Sequence, residues 1–254
     1  MNDQRLSLKL RPWTLILLLA PALSSAEGTD WLIAPYGWLP SVKVDQSVDT
    51  GGGGPVINVD DLISKIDGVA MFRVEAARNR WGLTLDYIFL SLADQFTLDV
   101  PPPVSLNFDI GSDLDLSLLE FGGYFRPSGE IEGINYLLGV RQIKFEMGLS
   151  ITPTGGATQS LYTDTTVTDV FAGARYFHRL GERWMLNVRG DLSYGDSEGT
   201  LNLLASIGYR VAGPFRLKLG YRHMTIEFED DYEGTPTTTA ISLSGPYIGF
   251  AFRF

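Results

Sequence analysis

A closed antiparallel β-barrel that crosses a membrane is the fold this sequence predicts, and three observations predict it. From Trp31 onward, apolar residues recur at every second position in stretches of about ten to fifteen residues, divided by turn-rich segments. Hydrophobic residues make up 44% of the chain, yet past the N-terminal stretch none of its runs approaches the ~20 apolar residues of a spanning helix, and a chain that crosses lipid without such helices must close a barrel. The last strand carries Ile248, Phe250, Phe252 and Phe254 on one face, the apolar face and aromatic rim of a closing barrel strand.

The elements follow in chain order. Arg5, Lys9 and Arg11 precede an apolar run over 13–23, and the small residues Ser24, Ser25 and Ala26 follow it. This order predicts a secretory signal peptide over 1–26 and a barrel domain over 27–254; a permanent anchor would need about twice that apolar length. Ten strands are expected, with eight to twelve as the range, at 31–39, 69–78, 81–92, 113–126, 134–149, 165–177, 183–194, 200–211, 215–228 and 240–254. The third shows the pattern: Trp81, Leu83, Leu85, Tyr87 and Phe89 share one face, and Gly82, Thr84 and Asp86 the other. A soluble sandwich would also alternate, but its outward face would be polar.

Short turns are expected at 79–80, 127–133, 178–182 and 212–214, and longer loops at 41–68, 93–112, 150–164 and 229–239, with 195–199 a short exception. Within the first loop Gly51 to Gly54 read as a flexible tract, and the apolar spacing of 59–66 permits a short helix at the barrel mouth. Pro101, Pro102 and Pro103 stiffen the second loop and keep it from extending the sheet. In the fourth strand Leu118 and Leu119 are adjacent, so the apolar phase shifts, and a bulge is expected there.

The chain carries 20 basic and 30 acidic residues, a formal charge of −10, and without 1–26 it keeps 17 against 29, or −12. That balance argues against a nucleic-acid partner. The absence of cysteine removes disulfides and thiolate sites, and no cofactor is implied. Acids gather in the expected loops, at Asp45, Asp49, Asp60 and Asp61 and over 227–233. The second group lacks the spacing of a dedicated calcium loop, so loose bridging to lipopolysaccharide through divalent cations is its expected use.

The strand phases turn thirteen charged residues into the lumen: Arg73, Glu75, Asp86, Glu120, Arg141, Asp169, Arg175, Arg189, Asp191, Arg210, Lys218, Arg222 and Arg253. In a barrel of about ten strands they either pair into a polar core that satisfies buried charge or line a narrow selective path for small solutes, with a slight anion preference. For catalysis the two histidines are the only imidazole bases. His178 falls in an expected turn, and His223 falls on the outer face near one membrane boundary without a serine partner, because Ser193 and Ser206 face inward by phase. No catalytic or metal residues are therefore assigned. Trp31, Tyr36, Trp38, Trp81, Trp184, Tyr194 and Tyr247 are candidates for the aromatic girdles.

Several short segments carry a resemblance. Residues 35–40 (Pro-Tyr-Gly-Trp-Leu-Pro), 59–62 (Val-Asp-Asp-Leu), 75–83 with Asp86, the Gly-Tyr-Arg elements at 208–210 and 220–222, and 245–250 resemble a large group of uncharacterised proteobacterial outer-membrane β-barrel proteins. The resemblance implies a small barrel in the outer membrane, in contact with lipid and lipopolysaccharide, with both termini in the periplasm. It also implies insertion by the barrel assembly machinery through the terminal aromatic face Ile248, Phe250, Phe252 and Phe254. Three functions stay open: a narrow pore or structural and surface-interaction protein; an enzyme acting on lipid A or surface substrates; and a barrel that releases hydrophobic compounds sideways through its wall. A break in strand pairing near Pro35 or Pro246, where proline removes a donor, would favour the third.

Overall fold

The computed structural model describes residues 28–47, 53–57, 65–99, 107–232 and 235–254. The expected signal peptide, the helix over 59–66 as far as residue 64, and the proline run at 101–103 lie outside the described residues. Twelve strands form a single sheet: β1 (Asp30–Trp38), β2 (Ser41–Ser47), β3 (Gly53–Ile57), β4 (Ile66–Arg78), β5 (Trp81–Asp99), β6 (Asn107–Phe125), β7 (Gly133–Pro153), β8 (Gln159–Leu180), β9 (Trp184–Gly195), β10 (Gly199–Ala212), β11 (Phe215–Tyr232) and β12 (Thr235–Arg253).

Ten of these strands close a barrel. β4 to β12 pair in sequence order, β1 pairs with β4 on one side and with β12 on the other, and every pairing is antiparallel. Closure runs from Leu32↔Arg253 to Trp38↔Tyr247. The remaining two strands come from the expected first loop. After Pro40 the chain continues along β12 as β2, from Ser41↔Ser244 to Ser47↔Thr238, and β3 folds back on its free edge. Gly53 and Gly54 thus sit in a strand where the sequence predicts a flexible tract.

Short turns join the strands at one end, here the turn end. Two of them have only two residues, at 79–80 and 213–214, and in the first Asn79 has a left-handed φ of 57°, a conformation that asparagine tolerates better than most residues. At the other end, the loop end, the strands run well past the expected limits. β5 and β6 stay paired out to Asp99↔Asn107, β7 and β8 to Ile151↔Gln159, and β11 and β12 to Tyr232↔Thr235. Much of what reads as loop in the sequence is therefore ladder, because Thr, Tyr and Ile in these segments keep strand geometry once a neighbour supplies the hydrogen bonds. His178 is likewise part of β8 rather than a turn.

The exterior carries an apolar belt that includes Trp81, Leu138, Leu192, Tyr194 and Tyr221. Ile248, Phe250, Phe252 and Phe254 belong to it, each exposed on the outer face of the last strand. Asn135, Leu137, Arg141 and Ile143 on β7 alternate inward against Ile134, Tyr136, Leu138 and Val140 outward. The expected bulge at Leu118 and Leu119 is absent: the register of β6 with both neighbours is unbroken there. Leu118 is buried in the lumen and Leu119 is exposed outside, so two adjacent leucines mark a level at which both faces of the wall are apolar.

Candidate functional site

The lumen is filled in two layers, one charged and one apolar. In the charged layer Glu120 of β6 accepts Nε of Arg141 at 2.9 Å, Nη2 of Arg189 at 2.8 Å and Nη2 of Arg222 at 3.4 Å. Asp191 accepts Nε of Arg189 and Nδ2 of Asn202, each at 2.7 Å, and also pairs with Arg141. Asp86 holds Nη2 of Arg73 at 2.6 Å and the Tyr36 hydroxyl at 2.8 Å, with Nη1 of Arg222 at 3.9 Å. These bonds span the barrel: β6 and β11 are not neighbours, and Arg222 and Glu120 meet across the lumen. Full burial of such groups is tolerable only because each carboxylate has several donors.

Two further acids complete the layer. Glu75 of β4 is clasped by both terminal nitrogens of Arg175 from β8, at 2.5 and 3.0 Å, a fork-to-carboxylate geometry. Asp169 pairs with no arginine among the described residues. It accepts the Ser197 amide at 3.1 Å and the hydroxyls of Ser197, Ser193 and Thr200 at 2.6, 3.0 and 3.3 Å, and so anchors the β9–β10 connection. Aromatic faces cover the guanidinium groups: Arg175 lies 4.1 Å from the Tyr124 ring centre, Arg222 4.9 Å from Trp38, and Arg141 and Arg189 5.2 and 5.6 Å from Phe171. Phe171 reaches this position because Gly139 and Gly122 face it; a Cβ on Gly139 would stand 2.7 Å from the ring.

Of the thirteen residues assigned to the lumen, nine are buried: Glu75, Asp86, Glu120, Arg141, Asp169, Arg175, Arg189, Asp191 and Arg222. Arg73 is half-buried in the same network, while Arg210, Lys218 and Arg253 are half-buried at the turn end. Arg126 is a lumen charge that sequence reasoning missed, although it ends the expected strand over 113–126 with the same parity as Glu120; it pairs with Asp30 at 3.6 Å.

Above the charges, toward the loop end, lies an apolar layer made of Trp38, Met71, Ile88, Leu90, Leu116, Leu118, Ile143, Val167, Met224, Ile226, Leu243 and Tyr247, with Phe145, Phe228 and Ile241 packed against it. Three girdle assignments are corrected here. Trp38 and Tyr247 are 1% and 8% exposed, and Tyr36 points into the lumen to bond Asp86; Trp81, Trp184 and Tyr194 are exposed on the outer wall. The signal was available in the run Tyr87-Ile88-Phe89-Leu90, whose unbroken hydrophobicity marks a strand buried on both faces.

The wall has a seam beside this layer. β1 and β4 pair from Asp30↔Ala77 only as far as Pro35↔Phe72. Beyond that point β1 stays with β12, and among the described residues β4 pairs only with β5. Pro35 has no N–H to give, and the Trp38 amide donates to Sδ of Met71 at 3.2 Å rather than to a carbonyl. Around Pro246 the pairing with β11 is continuous.

On the outer wall His223 is bonded through Nδ1 to Ser244 Oγ at 2.6 Å, its Nε2 lies 3.2 Å from Thr225 Oγ1, and Thr225 lies 3.1 Å from Ser242 Oγ. The sequence reading looked for a serine on β9 or β10 and missed Ser244, which is the cross-strand partner of His223 on β12. His178 stacks on Tyr176 with ring centres 6.1 Å apart and lies 3.5 Å from Glu132. At the loop end Glu146 accepts the Tyr162 hydroxyl and Nζ of Lys144. These contacts hold its carboxyl below the usual range, and the same bond pushes the Tyr162 hydroxyl up to about 12. No group of three or more metal-ligating side chains converges among the described residues.

No protein-family model and no curated protein matches this chain. Solved structures similar to it include the attachment invasion locus protein Ail of Yersinia pestis, at 12% identity over 90% of this chain and 99% of that one with a TM-score of 0.36. The translocator domain of the autotransporter NalP from Neisseria meningitidis is similar at 11% identity over 95% and 94%, with a TM-score of 0.43. The toluene transporter TodX of P. putida is similar at 12% identity over 91% of each chain, with a TM-score of 0.28. Likeness at these levels carries no binding or transport activity to this chain.

Proposed function

We propose that this protein is an outer-membrane barrel closed to ions, which acts as a structural and surface-interaction element. The observation that carries this reading is the filled lumen, where the cross-barrel network on Glu120, Asp191 and Asp86 lies beneath the apolar layer around Ile143 and Met224. A selective pore needs charges with solvated free positions; these carboxylates have none to spare. The working surface is then the loop end. On β7 the outer face turns polar at Gln142, and the strand continues to Pro153, roughly 35 Å of further ladder. Along it Met147, Leu149 and Ile151, with Leu161 of β8, are exposed on the face continuous with the lumen, a place for an apolar partner.

Planar-bilayer recording of residues 27–254, refolded in detergent and verified as a heat-modifiable barrel, tests the proposal. The expected result is an insertion-competent barrel without unitary current steps. Steady, ion-selective steps would overturn it and reinstate the pore.

The seam favours a second reading, in which hydrophobic compounds pass between the apolar layer and the lipid beside β1 and β4. Among the described residues, opening there breaks no backbone-to-backbone hydrogen bond above Pro35, only the bond from the Trp38 amide to Sδ of Met71 and the side-chain packing around it. An enzymatic role has less support: among the described residues the imidazole of His223 bonds Ser244 and Thr225 and no carboxylate.

A further inference from the structure

We propose that the turn end of the lumen is a binding site for a phosphate group, held by Arg216, Lys218 and Arg253. A cavity of about 20 Å³ opens there, lined by these three cations together with Asn187 and Ser206 and an apolar floor that includes Leu32, Phe177 and Met185. The volume holds about one or two waters, and the long flexible tips of Arg216 and Lys218 can widen it.

The charge balance is the reason to expect an anion. Arg210 and Arg216 are directly opposed across β10 and β11 on the inward face, where like charges repel. Lys218 and Arg253 converge on the same space. None of these four forms an ion pair among the described residues, whereas every arginine of the central network does. The acid next in reach, Glu75, has both oxygens taken by Arg175, and Asp30 faces Arg126. Four half-buried cations that share only the distant field of Glu75 and Asp30 and have no ion-pair partner of their own leave a local field that a bound anion would cancel.

The neutral groups narrow the class. Ser206 Oγ accepts Nδ2 of Asn187 at 3.3 Å, which leaves the serine hydroxyl to donate into the cavity. Oδ1 of Asn187 and Nε of Arg253 are buried without a hydrogen-bond partner. An unused acceptor beside unused donors suits an oxyanion that still carries one proton, as hydrogen phosphate does near neutrality and a phosphate monoester does only in its monoanionic fraction. A halide offers no donor for Asn187.

Thermal unfolding of the full barrel in detergent, titrated with inorganic phosphate and separately with glycerol phosphate against sodium chloride at matched ionic strength, tests the site. The expected result is a midpoint that rises with the logarithm of phosphate concentration once the site fills, with chloride producing less. A response to inorganic phosphate alone identifies the free ion, and a response to both admits esters. Midpoints that follow ionic strength alone, with no difference between phosphate and chloride, overturn the proposal whatever any variant does. Lys218→Met should abolish the phosphate response and raise the midpoint in its absence, since the remaining cations lose a like-charged neighbour; Lys144→Met, at the loop end, should leave the response intact. A phosphate response unchanged in Lys218→Met would place the anion elsewhere and also overturn the site.

Discussion

Arg141 shows how a single residue is constrained at the centre of the barrel. It is buried, and it bonds Glu120 and Ser193 at 2.9 and 3.2 Å and pairs with Asp191. Replacing it with methionine keeps most of the side-chain volume and removes one cation from two buried carboxylates. Breaking a buried pair in this way costs about 3–5 kcal/mol. The low end is expected, because Glu120 keeps Arg189 and Arg222, and Asp191 keeps Arg189 and Asn202. Denaturant unfolding of Arg141→Met in lipid vesicles checks this, and a midpoint equal to that of the unaltered protein would show that the network contributes no net stability. The inward position of Arg141 follows from the parity of its strand and was legible in the sequence. Its partners were not: Glu120 stands opposite on the neighbouring β6 through a register that alternation does not fix, and Asp191 comes from β9, which β7 does not touch along the wall.

At the scale of elements the pairing of β1 separates two behaviours within one strand of the wall. Its first half is hydrogen-bonded on both edges; past Pro35 it keeps only β12. β4 is divided at the same level, with Val74 to Ala76 paired on both sides and Ala70 and Met71 paired with β5 alone. Amides on an edge open at lower free energy than amides inside a sheet. Hydrogen exchange resolved to short peptides should therefore show faster exchange around Ala70 and Met71 than around Val74 to Ala76. Equal protection would mean that the seam is shut and would remove the support for lateral passage. Proline flagged this site from sequence alone, at Pro35 and Pro246 equally. The structure separates them, because β12 keeps its β11 partner through Pro246 whereas β1 turns away from β4 after Pro35.

Across the whole molecule, strands far apart in the chain are tied through the lumen: β4 to β8 by Glu75 and Arg175, β6 to β9 and β11 by Glu120, and β1 to β5 by Tyr36 and Asp86. Together with closure of β1 on β12, these ties leave no group of strands able to separate with its own core intact. A single cooperative transition is expected, with tryptophan fluorescence and backbone circular dichroism coinciding. Two separated transitions would show that the extended β5 to β8 sheet at the loop end unfolds independently of the barrel.

The sequence by itself determined the fold class, the ten strands of the wall and the inward face of the charged residues, though not of Tyr36, Trp38 and Tyr247, because a period of two is a local property of a strand and a lipid-facing belt leaves it clearly written. Tertiary structure decided what the inward face becomes. Whether Trp38 and Tyr247 join an aromatic girdle or a buried apolar layer, whether Leu118 and Leu119 mark a bulge or a wall apolar on both sides, whether His223 meets a serine, and whether thirteen charges conduct or seal all depend on which side chains meet across the barrel. That meeting is fixed by strand register and closure, long-range quantities that a local alternation pattern does not contain.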